Sequence, residues 1–414
     1  MTRENRKLFR FSCSIKESRH IMNVSDKMKN MKPSAIREIF KSLGTPGAIS
    51  FAGGNPAPES FPVEALSSIA TDIFKTNATA ALQYSVTEGY PLLREQVAAR
   101  LNTKFGVDTA NNTTIITSGG QQAIELTCKV LCNEGDEVIC ENPSFIGALN
   151  AFRSLGTRPV GVELEADGIN LAALEETIKA HPKARFLYLI PTFHNPAGIT
   201  MSLEKRRAVY ALAQQYDLVI LEDNPYGDLR FSGEELPTIK SMDTDGRVIY
   251  CGTFSKILSA GMRVGFACGA DELIQKMVVA KQVEDVHTNI FFQMVCAEYI
   301  RQYDLDAHID TIRALYREKC ERMLAALDAH MPKEVTFTRP QGGLFLWCTL
   351  PEYVDIAALI KEAAAEKVFV VTGAAFQCDE TAPTHAFRLN YSMPSLDEID
   401  KGIALLAAIV RRHL

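Results

Sequence analysis

The chain has 414 residues, of which 47% are hydrophobic, and this content is enough to fill the cores of two domains. Its formal net charge of -6 is spread over mixed-sign positions, which argues against nucleic acid or an anionic membrane as a partner. The ten cysteines form no CxxC pair and several lie in apolar runs, so we expect a reducing, cytoplasmic compartment and no structural metal.

Residues 1–32 are predicted to be an N-terminal extension. Basic side chains are frequent in its first part, but its apolar patch, Leu8–Phe11, is too short for the apolar core of a signal peptide. No window of the chain reaches the roughly 20 apolar residues that a membrane-spanning helix requires. We therefore expect a soluble protein.

An irregular connection is predicted for Gly44–Pro62, where glycine and proline are concentrated. From residue 113, apolar runs alternate with helical patterns, as expected for the βαβ units of an α/β fold. Runs without polar alternation are typical of parallel strands that are buried on both faces. Such strands are predicted at Thr113–Thr117, Glu137–Cys140, Arg185–Ile190, Leu218–Leu221 and Val248–Cys251.

The pattern between two of these strands is helical. In residues 202–217, Val209, Leu212, Ala213 and Tyr216 recur at i, i+3, i+4 and i+7, and Ser202 is placed to cap the helix start. Beyond residue 300 we predict a smaller α+β domain. Its elements are a long charged helix, four short strands and a final helix, at Asp304–Ala329, Val335–Phe337, Leu344–Trp347, Val368–Val371, Phe387–Tyr391 and Leu396–Arg411.

Polar residues follow the predicted strands at the point where each strand ends. Ligands of open parallel sheets bind beyond the carboxyl ends of the strands, so these residues are candidates for one site. They are Gly119, Gly120 and Gln121 after the first strand, Asn195 after the third, Asp223 and Tyr226 after the fourth, and Lys256 after the fifth.

An anion site is predicted from two of these segments. In SGGQQA, residues 118–123, glycines let backbone N–H groups approach an oxyanion at a helix start. Thr253, Ser255 and Arg263 add two hydroxyls and a guanidinium, which are the groups that bind a phosphate without a metal. The alternative for SGGQQA is an ordinary glycine turn into a helix.

A carboxylate and an amine are predicted at the same edge of the sheet, where the strands end. An ionised Asp223 at the end of an apolar strand needs a cationic partner, which a protonated ring nitrogen would supply. Lys256 can form a Schiff base where its neighbours favour the neutral amine. Pyridoxal phosphate, an aldehyde with a pyridine ring and a phosphate, would use all of these groups. The alternatives are a turn aspartate before Pro225 and a solvated loop lysine.

The sequence resembles the class I/II aminotransferases of the aspartate aminotransferase fold, and within them the 2-aminoadipate and aromatic aminotransferase group. The resemblance runs from about Pro33 to the C-terminus through the motifs KPSAIREIF, ISFAGGNPAPESFP, QYSVTEGYPLLRE, TSGGQQA, ENPSF, HNPAG, EDNPYG, TFSK, MRVG, QGGLFLW and FRLNYS. One departure is Ala260-Gly261, where members of the family usually have proline and glycine before the phosphate-binding arginine.

This resemblance implies fold type I of the pyridoxal-phosphate-dependent enzymes, which is α/β. It implies a large domain with a mostly parallel seven-stranded sheet and a smaller α+β domain. The implied boundaries are 33–70 for an N-terminal segment that joins the small domain and covers the active site, 71–300 for the large cofactor-binding domain, and 301–414 for the small domain. A homodimer with shared active sites is also implied.

The resemblance further implies a role for each matching residue. Lys256 would carry the cofactor and shuttle the proton, Asp223 would pair with the ring nitrogen, and Asn195 and Tyr226 would hydrogen-bond the ring hydroxyl oxygen. The phosphate would be held by Gly119, Gly120, Gln121, Ser255 and Arg263, with Tyr84 from the other subunit. Arg388 would bind the substrate α-carboxylate, and Asn195 and Tyr84 would also contact the substrate. The Gly53-Gly54 stretch is expected to lie over the substrate, because the absence of a Cβ permits close approach.

Three residues have two interpretations. Phe145 is either the aromatic side chain that stacks on the cofactor ring or a core phenylalanine. Arg388 could instead occupy an outward strand position in a salt bridge. Arg37 shares a helix face with Ser34, and its guanidinium either pairs with a distal substrate carboxylate or is solvated near Glu38.

The predicted activity is transfer of the amino group of an L-amino acid to a 2-oxo acid, with 2-oxoglutarate as the expected acceptor, in ping-pong order. The donor is expected to be of the 2-aminoadipate, aromatic or branched-chain type. One alternative is a β-eliminating C–S lyase on the same fold and cofactor. Another is a ligand-sensing domain of a regulator, although only about 33 residues precede the resemblance, too few for a winged helix and a linker.

Overall fold

The computed structural model describes residues 24–29, 31 and 47–414. The predictions made for Ser34 and Arg37, and for most of the N-terminal extension, lie outside the described residues.

The described helices are α1 Asp26–Lys29, α2 Val63–Thr76, α3 Ala78–Leu82, α4 Pro91–Phe105, α5 Gly120–Leu131, α6 Ile146–Ser154, α7 Leu171–Ala180, α8 Leu203–Gln215, α9 Asp271–Glu284, α10 Ile290–Gln302, α11 Leu305–His330, α12 Ile356–Ala365 and α13 Leu396–His413. The strands are β1 Ile49–Ser50, β2 Thr113–Thr117, β3 Glu137–Asn142, β4 Arg158–Glu165, β5 Gly168–Ile169, β6 Ala184–Leu189, β7 Val219–Asp223, β8 Val248–Thr253, β9 Gly265–Gly269, β10 Thr336–Phe337, β11 Phe345–Thr349, β12 Val368–Phe369, β13 Val371–Thr372 and β14 Ala386–Asn390.

The large sheet has the strand order β2-β9-β8-β7-β6-β3-β4-β5. The neighbours from β8 to β4 pair in parallel, whereas β9 runs antiparallel to both β8 and β2. The predicted α/β fold with a mostly parallel seven-stranded sheet is confirmed. The two-residue strand β5 adds an eighth, antiparallel strand at the edge beyond β4.

Apolar side chains cover both faces of this sheet, as the uninterrupted apolar runs predicted. Residues of β3, β6 and β7 alternate between two separate clusters of buried side chains, one against α5 and α6 and the other against α7 and α8. Helix α8 begins at the predicted cap, because the Ser202 side chain accepts a hydrogen bond from the backbone N–H of Lys205. Such a cap stabilises a helix by about 1 kcal/mol.

The C-terminal residues form a separate antiparallel sheet with the order β10-β11-β14-β13. The predicted strand Val368–Val371 is divided, because β12 pairs in parallel with β1 while β13 pairs with β14. The N-terminal segment is thereby tied to the C-terminal part of the chain. The domain boundaries implied by the resemblance stay a prediction. No helix in the described part of the chain is both long enough and apolar enough to cross a membrane.

Candidate active site

The carboxyl ends of β2, β6, β7 and β8 meet at one edge of the large sheet, and the segments that follow them line a cavity of about 330 Å³. Strand β14 of the smaller sheet supplies a further wall. The structure brings together most of the predicted site residues here, namely Gly120, Gln121, Phe145, Asn195, Asp223, Tyr226, Thr253, Ser255, Lys256, Arg263 and Arg388.

The remaining predicted residues are placed differently. Gly119 lies behind the lining, against Arg263. Gly53 is buried, and its neighbour Gly54 lines the cavity instead. Tyr84 does not line the cavity of this chain: it is 81% exposed, with its ring edge-on to His287.

Arg263 connects the two segments of the predicted anion site. Its Nη2 donates to the backbone oxygen of Ser118 (3.3 Å) and its Nη1 to Oγ of Ser255 (3.5 Å). Gly119 has a φ of +80°, and a Cβ there would lie 2.3 Å from Nη2 of Arg263. Thr253 donates to Oγ of Ser255 at 2.9 Å. Two hydroxyls, a guanidinium and the start of α5 therefore surround one end of the cavity, which suits an anion.

Asp223 is a buried carboxylate at the end of β7, and it forms no ion pair with any described residue. Its Oδ2 accepts a hydrogen bond from the hydroxyl of Tyr188 at 2.7 Å. Burial raises the pKa of Asp223 to about 6, although the hydrogen bonds from Tyr188 and Cys251 and the charge of Lys256 oppose this rise. This carboxylate therefore lacks a cation at ion-pair distance among the described residues.

Lys256 is partly buried, and its Nζ donates to the backbone oxygen of Gly54 at 2.7 Å. Burial, with the nearby charges of Arg388 and Arg263, lowers the pKa of Lys256 to about 8. A substantial fraction of the amine is therefore neutral near pH 8, where an ordinary lysine is almost fully charged. The neutral amine is the nucleophilic form.

Arg388 is 1% exposed and forms no ion pair among the described residues, so the outward, salt-bridged position considered from the sequence is wrong. Its Nη1 donates to Oδ1 of Asn195 and its Nη2 to the backbone oxygen of Ala52, both at 2.8 Å. The guanidinium carbon lies 4.1 Å from the ring centroid of Phe345 and 4.9 Å from that of Phe376. Two rings and two acceptors thus hold this guanidinium in one orientation at the cavity wall.

A model of the family described as aminotransferase class I and II matches residues 49–406. The chain belongs to this family. It is 40% identical over 394 residues to the aromatic-amino-acid aminotransferase 1 of Thermococcus litoralis, and the match covers 94% of each chain.

The fold of the chain is also similar to that of solved aminotransferase structures. The Pyrococcus horikoshii kynurenine aminotransferase, in complex with PMP, KYN and KYA, is 39% identical with a TM-score of 0.91, covering 94% of this chain and 97% of that one. The α-aminoadipate aminotransferase LysN of Thermus thermophilus, complexed with N-(5'-phosphopyridoxyl)-L-leucine, is 38% identical with a TM-score of 0.86 and the same two coverages. The chain is a pyridoxal-phosphate-dependent aminotransferase of fold type I.

A hydrogen-bonded network that sequence reasoning missed supports the predicted anion site of the aminotransferase. The Ser118 hydroxyl donates to Asp285 at 2.8 Å. Lys281, whose side chain is fully buried, bonds both carboxylate oxygens of Asp285 and also Gln122 and Thr288. Asp285 and Lys281 are an i, i+4 pair, but that spacing gives no indication that they reach the glycine turn.

Two further contacts in the aminotransferase were also missed. The hydroxyl of Tyr188 reaches Asp223 from the neighbouring strand, as described above. The buried side chains of His194 and Glu141 approach to 3.3 Å, beside Asn195. Phe145 is partly buried, lines the cavity and packs on the cluster of buried residues behind it, and its stacking on the cofactor ring stays a prediction.

Proposed function

We propose that the chain transfers the amino group of an L-amino acid with an aromatic or other large apolar side chain to a 2-oxo acid, with 2-oxoglutarate as the acceptor, in ping-pong order. The proposed range of amino donors also includes the 2-aminoadipate and branched-chain types. The observation that carries the proposal is that Lys256, Asp223 and Arg388 line one cavity. These three groups would respectively hold the cofactor, hold its ring and bind the substrate.

The residues of the cavity fit pyridoxal phosphate. The buried, unpaired carboxylate of Asp223 suits a protonated ring nitrogen, and the missing Cβ of Gly119 leaves room for the Arg263 guanidinium beside an anion. When bound, the cofactor supplies an aldehyde that takes up the amino group and a ring that accepts electron density from the α-carbon. Asn195 and Tyr226, whose polar atoms lie 3.5 Å apart, would hydrogen-bond the ring hydroxyl oxygen.

Lys256 is proposed to move the proton of the substrate. Its lowered pKa leaves part of the amine neutral, so the nitrogen is able to accept the proton from the α-carbon and return it. The Gly54 carbonyl holds the amine in place. Tyr226 lies beside it, with the ammonium nitrogen 6.0 Å from the ring centroid.

Arg388 is proposed to bind the α-carboxylate of the substrate through its guanidinium. Each Nη carries a second N–H beyond its bond to Asn195 or Ala52, so the guanidinium retains donor capacity for a carboxylate. The two flanking phenyl rings fix its plane. A fixed guanidinium orients the α C–H bond for removal.

The side chain of the donor is inferred from the remaining walls. The cations that line the described cavity are Lys256, Arg263 and Arg388, and each has a role above. What is left of the lining is largely apolar, with Ile124 and Ile190 among its members. An aromatic or aliphatic side chain therefore suits the described walls, and Arg37 stays a predicted partner for a distal carboxylate.

Donor screening against 2-oxoglutarate tests this proposal. We expect phenylalanine to give a higher kcat/KM than aspartate, and we expect Arg37→Ala to weaken activity with 2-aminoadipate while activity with phenylalanine persists. Product analysis with cysteine conjugates as substrates tests the alternative activity. Release of pyruvate and ammonia, without amino transfer from any donor, would favour the C–S lyase.

The proposed unit is a homodimer with shared active sites, in a cytoplasmic setting. Tyr84 is solvent-exposed in the single chain, as expected of a side chain that acts in the partner's site. Leu82 and Val86 beside it are also exposed, at 74% and 52%, and an apolar surface of this kind is typical of an interface.

The glycine turn gives a prediction about cofactor affinity. In Gly119→Ala the new Cβ would meet Arg263, and the positive φ would be strained, so we expect pyridoxal phosphate to bind at least about tenfold more weakly. Equilibrium dialysis of the cofactor against the apoprotein measures this. Gly135→Ala is the matched control, because its φ is +85° and nothing lies within 4 Å of its Cβ. Equal weakening in both variants would mean that strain alone, and not Arg263, explains the effect.

The hydroxyl of Tyr188 gives a second prediction. Tyr188→Phe removes a hydrogen bond that lowers the proton affinity of Asp223, so the pKa of this carboxyl should rise further above 6. The acid limb of the pH profile of kcat/KM should then move to higher pH. Tyr210→Phe is the control, because it removes another largely buried hydroxyl that is bonded to an aspartate, Asp245. An unchanged profile in Tyr188→Phe would contradict the role given to its hydroxyl.

A further inference from the structure

Ser118, the residue before the glycine turn of the anion site, has all of its polar groups hydrogen-bonded. Its backbone N–H donates to Oε1 of Gln122 and its hydroxyl to Oδ2 of Asp285, both at 2.8 Å. Its Oγ lies 3.1 Å from Oγ1 of Thr288, and its carbonyl oxygen accepts from Arg263. Gln122, Asp285 and Thr288 do not line the active-site cavity, so they hold Ser118 from behind it.

Lys281 binds all three of these supporting side chains. Its Nζ lies 2.7 Å from Oε1 of Gln122, 2.8 and 2.9 Å from the two carboxylate oxygens of Asp285, and 2.9 Å from Oγ1 of Thr288. One ammonium group thereby joins the last turn of α9 to the first turn of α5 and to the segment before α10.

The choice of acceptors indicates that Lys281 does more than satisfy its own charge. Its side chain is 0% exposed, and a buried ammonium needs acceptors for its three N–H groups. The equally buried Lys240 meets this need partly with Asp243 and partly with the backbone oxygen of Val248. At Lys281, by contrast, each described acceptor is a side chain that also contacts Ser118.

The network brings no net charge to the anion site. A carboxylate bonded to Ser118 would by itself repel an anion at the turn, but Lys281 pairs with Asp285 at 2.8 Å. The neighbouring Glu284 is likewise paired, with Lys129. Because these charges cancel, the contribution of the network to anion binding is the position of the turn.

We propose that Lys281 is a positioning residue for the phosphate group of the cofactor. By holding Gln122, Asp285 and Thr288 together, it fixes the turn of residues 118–120, where the phosphate would bind. Lys281 itself does not line the cavity. A turn that is already ordered binds an anion more tightly than one that must be ordered on binding. This inference rests on the proposed function, which assigns the phosphate to this turn.

The test compares pyridoxal phosphate with pyridoxal, which lacks the phosphate, by equilibrium dialysis against the apoprotein. Lys281→Met should weaken the binding of pyridoxal phosphate about tenfold or more and leave the affinity for pyridoxal unchanged. The double variant Lys281→Met with Asp285→Asn leaves no unpaired buried charge, so it is the variant less prone to unfold. It should still bind pyridoxal phosphate about tenfold more weakly than the wild type.

The matched control is Lys240→Met with Asp243→Asn, which replaces another buried lysine–aspartate pair. Lys240 contacts Val248 at the start of β8, whereas the cavity is lined by Thr253 at the end of that strand. The control variant should therefore keep its affinity for both compounds.

Three results would overturn the proposal. An equal loss of affinity for pyridoxal would make Lys281 a general support of the fold. Wild-type affinity for pyridoxal phosphate in the double variant with Asp285→Asn would assign the effect to the unpaired charge of Asp285. Equal weakening in the Lys240 control would show that any buried pair has this effect. Failure of the anion site itself gives a different result, because the wild-type protein would then bind pyridoxal phosphate no more tightly than pyridoxal.

Discussion

Lys256→Ala is expected to reduce turnover by about 10³-fold or more, because the variant loses the amine that is proposed both to hold the cofactor and to move the proton. It should still retain part of its affinity for pyridoxal phosphate, since Asp223, Arg263 and the start of α5 are unchanged. The absorption band that marks covalent attachment of the cofactor to a lysine should disappear. Single-turnover kinetics and the absorption spectrum measure the two effects.

Two variants control this experiment. Lys179→Ala removes an exposed lysine on α7 and should leave both turnover and spectrum unchanged. Arg388→Ala should keep the absorption band and lose activity mainly through a higher KM, because its guanidinium is assigned to the substrate. Full turnover in Lys256→Ala would refute the assignment of the lysine.

Asp223→Asn is expected to lower activity but to raise the stability of the apoprotein. The neutral amide is unable to hold the cofactor ring in its protonated form, so turnover should fall by at least about 10²-fold. The apoprotein, by contrast, should become more stable at pH 7. The reason is that burial holds the pKa of Asp223 at about 6, above its ordinary value of 3.8.

The pH dependence follows from that difference. The folded chain binds the proton of Asp223 more tightly than the unfolded chain, so this stabilisation is complete below pH 3.8 and is lost as the pH rises to about 6. The loss amounts to about 3 kcal/mol at most. Asparagine does not titrate, so Asp223→Asn avoids this loss of stability. Urea unfolding at pH 7 should therefore give a higher free energy of unfolding for the Asp223→Asn apoprotein than for the wild-type apoprotein.

Asp243→Asn provides the contrast for the stability measurement. Its side chain is 2% exposed but is paired with the buried Lys240 at 2.7 Å, so the same chemical change should destabilise the protein there. If Asp223→Asn lowered the free energy of unfolding of the apoprotein as Asp243→Asn does, the unpaired state inferred for Asp223 would be wrong.

The sequence allowed prediction of the site residues that follow apolar strands. Asn195, Asp223 and Lys256 are far apart in the chain, but parallel strands bring their carboxyl ends to one edge, so strand prediction alone placed them together. Strands β4 and β9 were not predicted. Strand β4 alternates buried and exposed residues, and β9 is the glycine-rich GFACG, so neither has the uninterrupted apolar run that identified the others.

Tyr188 shows why the supporting contacts could not be predicted. It stands in an apolar run and is indistinguishable there from a core residue. Only the register of β6 beside β7 reveals its target: Tyr188 is opposite Leu221, and Asp223 is two residues farther along on the same face. The partner of its hydroxyl is therefore a property of strand order, which a single sequence does not display.

The stretch from Phe51 to Asn55 holds two of the three cations of the cavity by main-chain oxygens: that of Ala52 accepts from Arg388 and that of Gly54 from Lys256. These two oxygens are separated by the single residue Gly53, and both accept from side chains that line the active-site cavity. Both contacts are made by backbone atoms, so they depend on the spacing of the two carbonyls along the chain, and deleting Gly53 would displace one of them. In this stretch natural variation should therefore conserve length more strictly than amino-acid identity.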